Sequence, residues 1–216
     1  MEQSAIIEAL GVQRNFDAAH EIAGRVQFLK SYLIDSRQTA YVLGISGGVD
    51  SLAAGLLAQR AVRELREDGR VATFIAVRLP YGVQADEHDA AAAVAAIRPD
   101  RVITVDIKPG ADSLMAAVLA GGTDPDMRHH FILGNVKARQ RMIAQYAIAG
   151  VASGLVIGTD HAAEALMGFY TKFGDGAADV PPLAGLNKRR VRAVAATLGA
   201  PDPLVWKVPT AGLESD

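Results

Sequence analysis

The chain has 216 residues, half of them hydrophobic (50%), with 22 Lys and Arg against 24 Asp and Glu for a net charge of −2. That balance supplies no global field for nucleic acid or an anionic membrane, and the apolar content suits a single domain, residues 1–216, around one core. The absence of cysteine excludes disulfides, thiolate metal sites and every Cys-based nucleophile.

The first residues carry neither a basic region nor an apolar one of signal-peptide type, and no stretch of about 18 apolar residues occurs, so a soluble cytoplasmic protein is expected. Residues 3–36 place Ile22, Val26, Leu29 and Leu33 at helical spacing, which predicts an N-terminal segment of one or two amphipathic helices. Four apolar runs follow at 41–45, 71–77, 102–107 and 155–157. Helical patterns lie between them at 52–67, 85–97 and 135–149. Strands apolar on both faces and alternating with helices predict a doubly wound, mostly parallel α/β sheet flanked by helices, a Rossmann-like sandwich. Its C-terminal edge should carry Ser46, Arg78, Asp106 and Thr159. The alanines at 90–96 read as a tightly packed helix, with room for close packing across a dimer interface.

At the end of the first run stands Gly44-Ile45-Ser46-Gly47-Gly48-Val49-Asp50-Ser51. The glycines let the backbone turn and bring its N–H groups to an anion, Ser46 and Ser51 add hydroxyls, and the following helix adds its dipole. Asp50 beside a polyphosphate suggests a shared Mg²⁺. The Walker lysine is absent, so ordinary γ-phosphate transfer is not implied. SGGVDS resembles the loop of the ATP pyrophosphatases of the adenine nucleotide α-hydrolase type, which grip the β,γ-pyrophosphate and transfer AMP to an acyl or carbonyl oxygen.

Further along, Arg78 and Gln84 flank a Pro/Gly turn and are open to two readings, ATP contacts or a surface Arg and a helix-start Gln. Lys137, Arg139 and Arg141 are expected in the first turns of a helix, against the dipole preference, which favours a ligand phosphate over a structural role. The same helix offers Ile143, Ala147 and Val151 as a core stripe. In Gly158-Thr159-Asp160-His161-Ala162-Ala163-Glu164, Glu164 could meet Asp50 across the sheet edge and complete a pair of hard oxygen ligands for Mg²⁺. Asp160 reads as the helix N-cap. His161 has no partner at metal-ligand spacing, which argues against zinc, and His129-His130 read as surface or packing residues. The loop 168–183, with aromatics, Lys172 and Asp179, is long enough to suggest a role; its rings could stack a base, and Asp179 could bind a ribose or an amine. Residues 187–192 begin a basic helix that is mostly a solvated face, though Lys188 could reach a phosphate. Thr210 carries no signal of its own.

Taken in order, SGGVDS, NVKARQRM, GTDHAAEALMGFYTKFGDGAADV, LNKR and KVPTAGLE resemble the ammonia-dependent NAD synthetases across nearly the whole chain. The resemblance implies amidation of deamido-NAD by ammonia at the expense of ATP, with AMP and pyrophosphate as products of an adenylated intermediate, the last step of NAD biosynthesis. It implies a homodimer with deamido-NAD at the subunit interface and no glutaminase domain. Carried onto matching residues, it assigns the ATP phosphates to the loop from Gly44 to Ser51, and Mg²⁺ to Asp50 and Glu164. Further ATP contacts fall to Arg78, Gln84, Thr159, Lys188 and Thr210, and deamido-NAD contacts to Arg139, Lys172 and Asp179. Asp50 and Asp179 are the catalytic candidates, Asp179 as acceptor of a proton from ammonium. The family has a further C-terminal segment with a His-Lys pair, and a tail following Asp216 is expected. Two alternatives are a tRNA-modifying ATP pyrophosphatase, which needs a basic surface, and a non-catalytic adenine nucleotide-binding module, which needs neither Asp50 nor Glu164.

Overall fold

The computed structural model describes residues 2–83, 87–123 and 128–208. The N-terminal segment forms two helices, α1 (Gln3–Ala9) and α2 (Ala18–Asp35). Asp17 starts α2 by accepting from the His20 N–H at 2.7 Å, a carboxylate N-cap of the favoured kind. The predicted stripe Ile22, Val26, Leu29 and Leu33 is buried.

The sheet contains β1 (Ala40–Gly44), β2 (Thr73–Arg78), β3 (Arg101–Thr104) and β4 (Gly154–Val156), in the order β3-β2-β1-β4. All three pairings are parallel, with Val42 opposite Ile75 on one side and Val156 on the other. The chain therefore builds outward from β1 to β3 and then returns to the far side of β1. In such a sheet the crevice beyond the carboxyl ends of the two strands flanking the reversal is the usual place for a ligand. Here that crevice lies between β1 and β4.

Helices cover both faces. On one, α2 packs with α3 (Val49–Glu67), α4 (Glu87–Ile97), α8 (Lys188–Thr197) and α9 (Asp202–Val205) around Leu43, Leu57, Phe74, Leu183 and Val194. On the other, α6 (His129–Ala152) packs on β1 and β4 in a cluster with Val42, Ile75, Val77 and Val156, and α5 (Lys108–Ala120) packs against α6. The short α7 (Ala162–Met167) follows β4. Ala90 and Ala93 of α4 are buried, with Ala93 in the core beside α3, while Ala91 and Ala95 are exposed. Among the described residues no helix is long and apolar enough to cross a membrane.

Several expected boundaries move. The second run starts at Thr73 instead of 71, leaving Val71 exposed. The third ends at Thr104 because the Asp106 carboxylate accepts from the Gly82 and Lys108 N–H groups at 3.0 and 2.9 Å and turns the chain into α5. The sixth helix begins at His129, so Lys137, Arg139 and Arg141 lie more than two turns inside it and bear no dipole penalty. Its buried face is also different. Gly134, Lys137, Ala138 and Ala149 turn inward, whereas Ile143, Ala147 and Val151 are exposed. Two weakly apolar stripes run along α6, and polar anchors decide between them: the Arg141 Nε donates to the Leu79 carbonyl at 3.1 Å and Gln145 reaches the end of β1.

Candidate active site

The loop between β1 and α3 is braced by its own hydroxyls. Ser46 Oγ accepts from the Gly48 N–H at 3.3 Å, and Ser51 Oγ accepts from the Ser46 N–H at 3.3 Å while donating to the Gly48 carbonyl at 3.1 Å. Gly47 has φ +82°, and a Cβ there would stand 2.7 Å from the Ala90 nitrogen of α4. Both observations require glycine. Behind the loop, Gln145 Oε1 accepts from the Gly44 N–H at 2.6 Å. Gly48 is the N-cap of α3, so the N-terminus of a 19-residue helix opens onto the loop, an electropositive end suited to an anion.

Across the crevice, the β4–α7 segment brings Glu164 towards Asp50, as the sequence suggested, and two residues join them, His161 from that segment and Lys188 from the start of α8. Lys188 Nζ lies 2.5 Å from Asp50 Oδ2. His161 Nε2 lies 3.5 Å from Asp50 Oδ1 and 3.5 Å from Glu164 Oε1. One ligand atom each from Asp50, His161 and Glu164 falls within 4.8 Å of the others. His161 thus does have carboxylate partners at metal-site distance, one of them 111 positions away in sequence, where spacing along the chain could not reveal it. The N-cap of α7 is likewise His161, which accepts from the Glu164 N–H, and not Asp160. The helix starts one residue later than the sequence suggested.

Electrostatics separate these groups. Burial and the Asp50 charge push the Glu164 carboxyl up to about 7, while burial lowers His161. Among the described residues Asp50 Oδ1 is buried without a hydrogen-bond partner. A buried carboxylate oxygen costs free energy unless paired or bound to a cation. Asp160 is pushed up to about 6, first by burial and then by Asp175. Both line a cavity of about 320 Å³ that His161 shares with Gly158, Gly176 and Pro181.

The remaining expected residues divide. Arg78 closes on Glu87 in an ion pair at the end of β2, and Thr159 is half-buried just beyond β4. Gln84 and Thr210 lie outside the described residues. The Arg139 Nε donates to the Lys172 carbonyl at 3.2 Å, joining α6 to the long loop. Asp179 Oδ2 accepts from the Val156 N–H at 2.7 Å and its Oδ1 from the Tyr146 hydroxyl at 3.4 Å. The other two cations of α6 meet protein groups: the Lys137 ammonium sits 4.0 Å from the centre of the Tyr81 ring, and Arg141 holds Leu79. In the basic helix, Arg190 donates to the Gln13 and Arg14 carbonyls and Arg192 lies over Trp206, so that face anchors chain segments and is not merely solvated. Two residues went unnoticed in the sequence, Gln145 and the acceptor role of His161. A glutamine interrupting the small, apolar face of α6 was the available signal for the first.

A parallel doubly wound sheet with this glycine and serine loop at its reversal point defines the class, an α/β protein of the adenine nucleotide α-hydrolase type. The family model described as NAD synthase matches residues 21–216, and the chain belongs to that family. It is 60% identical over 215 residues to the NH(3)-dependent NAD(+) synthetase of Streptomyces coelicolor, covering 99% of this chain and 78% of that one. It is 59% identical over 214 residues to the enzyme of the same name from Burkholderia cenocepacia, covering 98% and 76%. Among solved structures, NAD+ synthetase from Burkholderia pseudomallei superposes with a TM-score of 0.89 at 57% identity, over 97% of this chain and 78% of that one. NMN synthetase from Francisella tularensis gives 0.79 at 32% identity, over 93% and 78%.

Proposed function

We propose that the chain is an ammonia-dependent NAD synthetase: a ligase that converts deamido-NAD, ATP and ammonia to NAD, AMP and pyrophosphate. The observation that carries this reading is the meeting of Asp50, Glu164 and Lys188 beside the phosphate loop, in a chain of this family. A non-catalytic nucleotide module needs no such cluster, and the balanced net charge of −2 argues against a tRNA-modifying enzyme, which needs a basic surface.

The nicotinate carboxylate attacks the α-phosphorus of ATP, forming an O–P bond as the bond to the bridging oxygen breaks and pyrophosphate leaves. Ammonia then attacks the activated carbonyl; a C–N bond forms, the C–O bond to AMP breaks, and the nitrogen gives up a proton. The chain supplies position and charge. The backbone from Gly44 to Ser51 and the N-terminus of α3 hold the phosphates, with Lys188, Arg78, Thr159, Gln84 and Thr210 as further ATP contacts. Arg139, Lys172 and Asp179 hold the dinucleotide, and Asp179 is the proposed proton acceptor. Asp50 and Glu164 fit Mg²⁺: both offer hard oxygens, and among the described residues Asp50 Oδ1 is buried with no hydrogen bond, its neighbour His161 Nε2 standing 3.5 Å away. Bound there, Mg²⁺ supplies neutralisation of the departing pyrophosphate.

The protein is further proposed to act as a homodimer. The exposed stripe Ile143, Ala147 and Val151 on α6, with exposed Phe28, Tyr32 and Ile34 on α2, supports this, and sedimentation tests it.

Incubation with ATP, Mg²⁺, ammonium and deamido-NAD should yield AMP and NAD in equal amounts. ATP binding without AMP formation overturns the reading. The resemblance to NMN synthetase makes the mononucleotide acid the necessary comparison substrate; faster turnover of that acid would reassign the acceptor.

A further inference from the structure

His161 is the buried side chain at the site for which the proposed chemistry has no use. It is 2% exposed, and its Nε2 stands 3.5 Å from a carboxylate oxygen of Asp50 and 3.5 Å from one of Glu164. Grouped by distance, the three residues resemble a three-ligand metal centre. The other ring nitrogen contradicts that grouping. His161 Nδ1 accepts from the Glu164 N–H at 3.4 Å as the N-cap of α7. A neutral imidazole has one N–H and one lone pair. With the lone pair facing the helix at Nδ1, the hydrogen is on Nε2, and an Nε2–H has no electron pair for a cation.

We infer that His161 is a positioning residue whose backbone-fixed tautomer places its Nε2–H between Asp50 and Glu164, setting their spacing and keeping nitrogen out of the metal's coordination sphere. The metal half of this inference rests on the proposed Mg²⁺ ligation by Asp50 and Glu164; the tautomer does not. Among the described residues Nε2 and Asp50 Oδ1 have no hydrogen-bond partner; Nε2 stands 3.5 Å from a carboxylate oxygen on each side and closes a hydrogen bond to neither. The residue type fits the double task. Ser, Thr, Asp and Asn are the common N-caps, but Ser, Thr and Asp present no second donor on the far side. Asn has one only on the same short amide. Histidine accepts at one edge of its ring and donates at the other. Excluding nitrogen leaves an all-oxygen site, which suits Mg²⁺, whereas an imidazole ligand would shift preference towards transition metals.

The test uses the full chain and the replacement His161→Asn, which keeps a good N-cap but shortens the reach to the carboxylates. In long-range ¹H–¹⁵N spectra at neutral pH, the signal that disappears in the variant, out of five histidines, should show the Nε2–H tautomer. An Nδ1–H pattern overturns the inference. With Mn²⁺ as probe, pulsed electron paramagnetic resonance of the wild-type protein should show no directly bound ¹⁴N; a bound-nitrogen signal that is lost in His161→Asn makes His161 a ligand and overturns it. Affinity for Mn²⁺ should fall about 10- to 100-fold in the variant, as for other residues that orient metal ligands, with the melting temperature nearly unchanged. Equal affinity in the two proteins overturns the positioning role. Absence of Mn²⁺ binding to the wild-type protein overturns the metal reading and with it the metal half of the inference, while the tautomer result is read independently.

Discussion

Lys188 Nζ lies 2.5 Å from Asp50 Oδ2, joining the start of α8 to the start of α3 across 138 residues of sequence. With Glu164 nearby, the ammonium offsets negative charge at a site proposed to bind Mg²⁺. A charged hydrogen bond contributes about 1.5–3 kcal/mol when one partner's loss leaves the other poorly solvated. Lys188→Met should therefore lower the melting temperature in Mg²⁺-free buffer by roughly 3–10 °C, and added Mg²⁺ should recover more of it than in the wild-type protein. Calorimetry with and without the ion checks this; equal shifts in both proteins would show that the Lys188 and metal charges are not interchangeable.

The fold was largely legible because its signals are local. Burial of Ile22, Val26, Leu29 and Leu33 and of the strands follows from hydrophobic spacing, and the glycine and serine loop announces its own turn. The pairing of Asp50 with Glu164 was legible because both stand where strand becomes helix at the same sheet edge. Non-local geometry was hidden. Nothing near Lys188 in sequence names Asp50, nothing near His161 names a carboxylate 111 positions earlier, and the inward stripe of α6 is decided by Gln145 and Arg141 meeting chain from other elements.

The backbone of Gly47 packs closely against the start of α4. A left-handed residue other than glycine costs about 1–2 kcal/mol, and a Cβ at Gly47 would stand 2.7 Å from the Ala90 nitrogen and 2.9 Å from the Asp89 carbonyl carbon. Backbone cannot yield as a flexible side chain can, so the loop must move. Gly47→Ala should raise the KM for ATP by at least about tenfold, the equivalent of about 1.4 kcal/mol, with the KM for deamido-NAD little changed. Steady-state kinetics in both substrates decides; an unaltered KM for ATP would show that the loop need not hold this shape.

Gln145 ties the end of β1 to α6 through the 2.6 Å bond from the Gly44 N–H. Replacing it with alanine leaves that N–H facing a gap, at about 1–3 kcal/mol. Gln145→Ala should lower the melting temperature by roughly 3–10 °C and weaken ATP binding, since Gly44 opens the phosphate loop. Gln145→Glu preserves an acceptor and should recover stability better than Ala. If Ala and Glu melt alike, the bond contributes nothing measurable.

Asp160 makes stability depend on pH. Burial and Asp175 raise its carboxyl to about 6 from a usual value of 3.8, so the folded protein holds a proton that the unfolded chain releases. The sign follows: this contribution is fully present below the unfolded value and is lost as pH rises through about 6. Asp160→Asn should therefore flatten the melting-temperature profile between pH 4 and 7, with its gain over the wild-type protein greatest at the upper end. A constant offset between the two profiles would mean that Asp160 does not titrate with folding.

Arg139 stands at the junction of α6 and the long loop, its Nε donating to the Lys172 carbonyl at 3.2 Å. It stands ten residues into α6, which begins at His129, far from the helix N-terminus. Its guanidinium is exposed, as is Lys172, and the dinucleotide pyrophosphate is the proposed anion for both. Loss of one charged hydrogen bond to it, about 1.5–3 kcal/mol, corresponds to a rise of roughly 10- to 100-fold in KM. Arg139→Ala should show that rise for deamido-NAD and less than about a twofold change for ATP. The reverse pattern would move Arg139 to the ATP side of the site, and a fall in melting temperature with both KM values intact would make it a brace for the 168–183 loop alone.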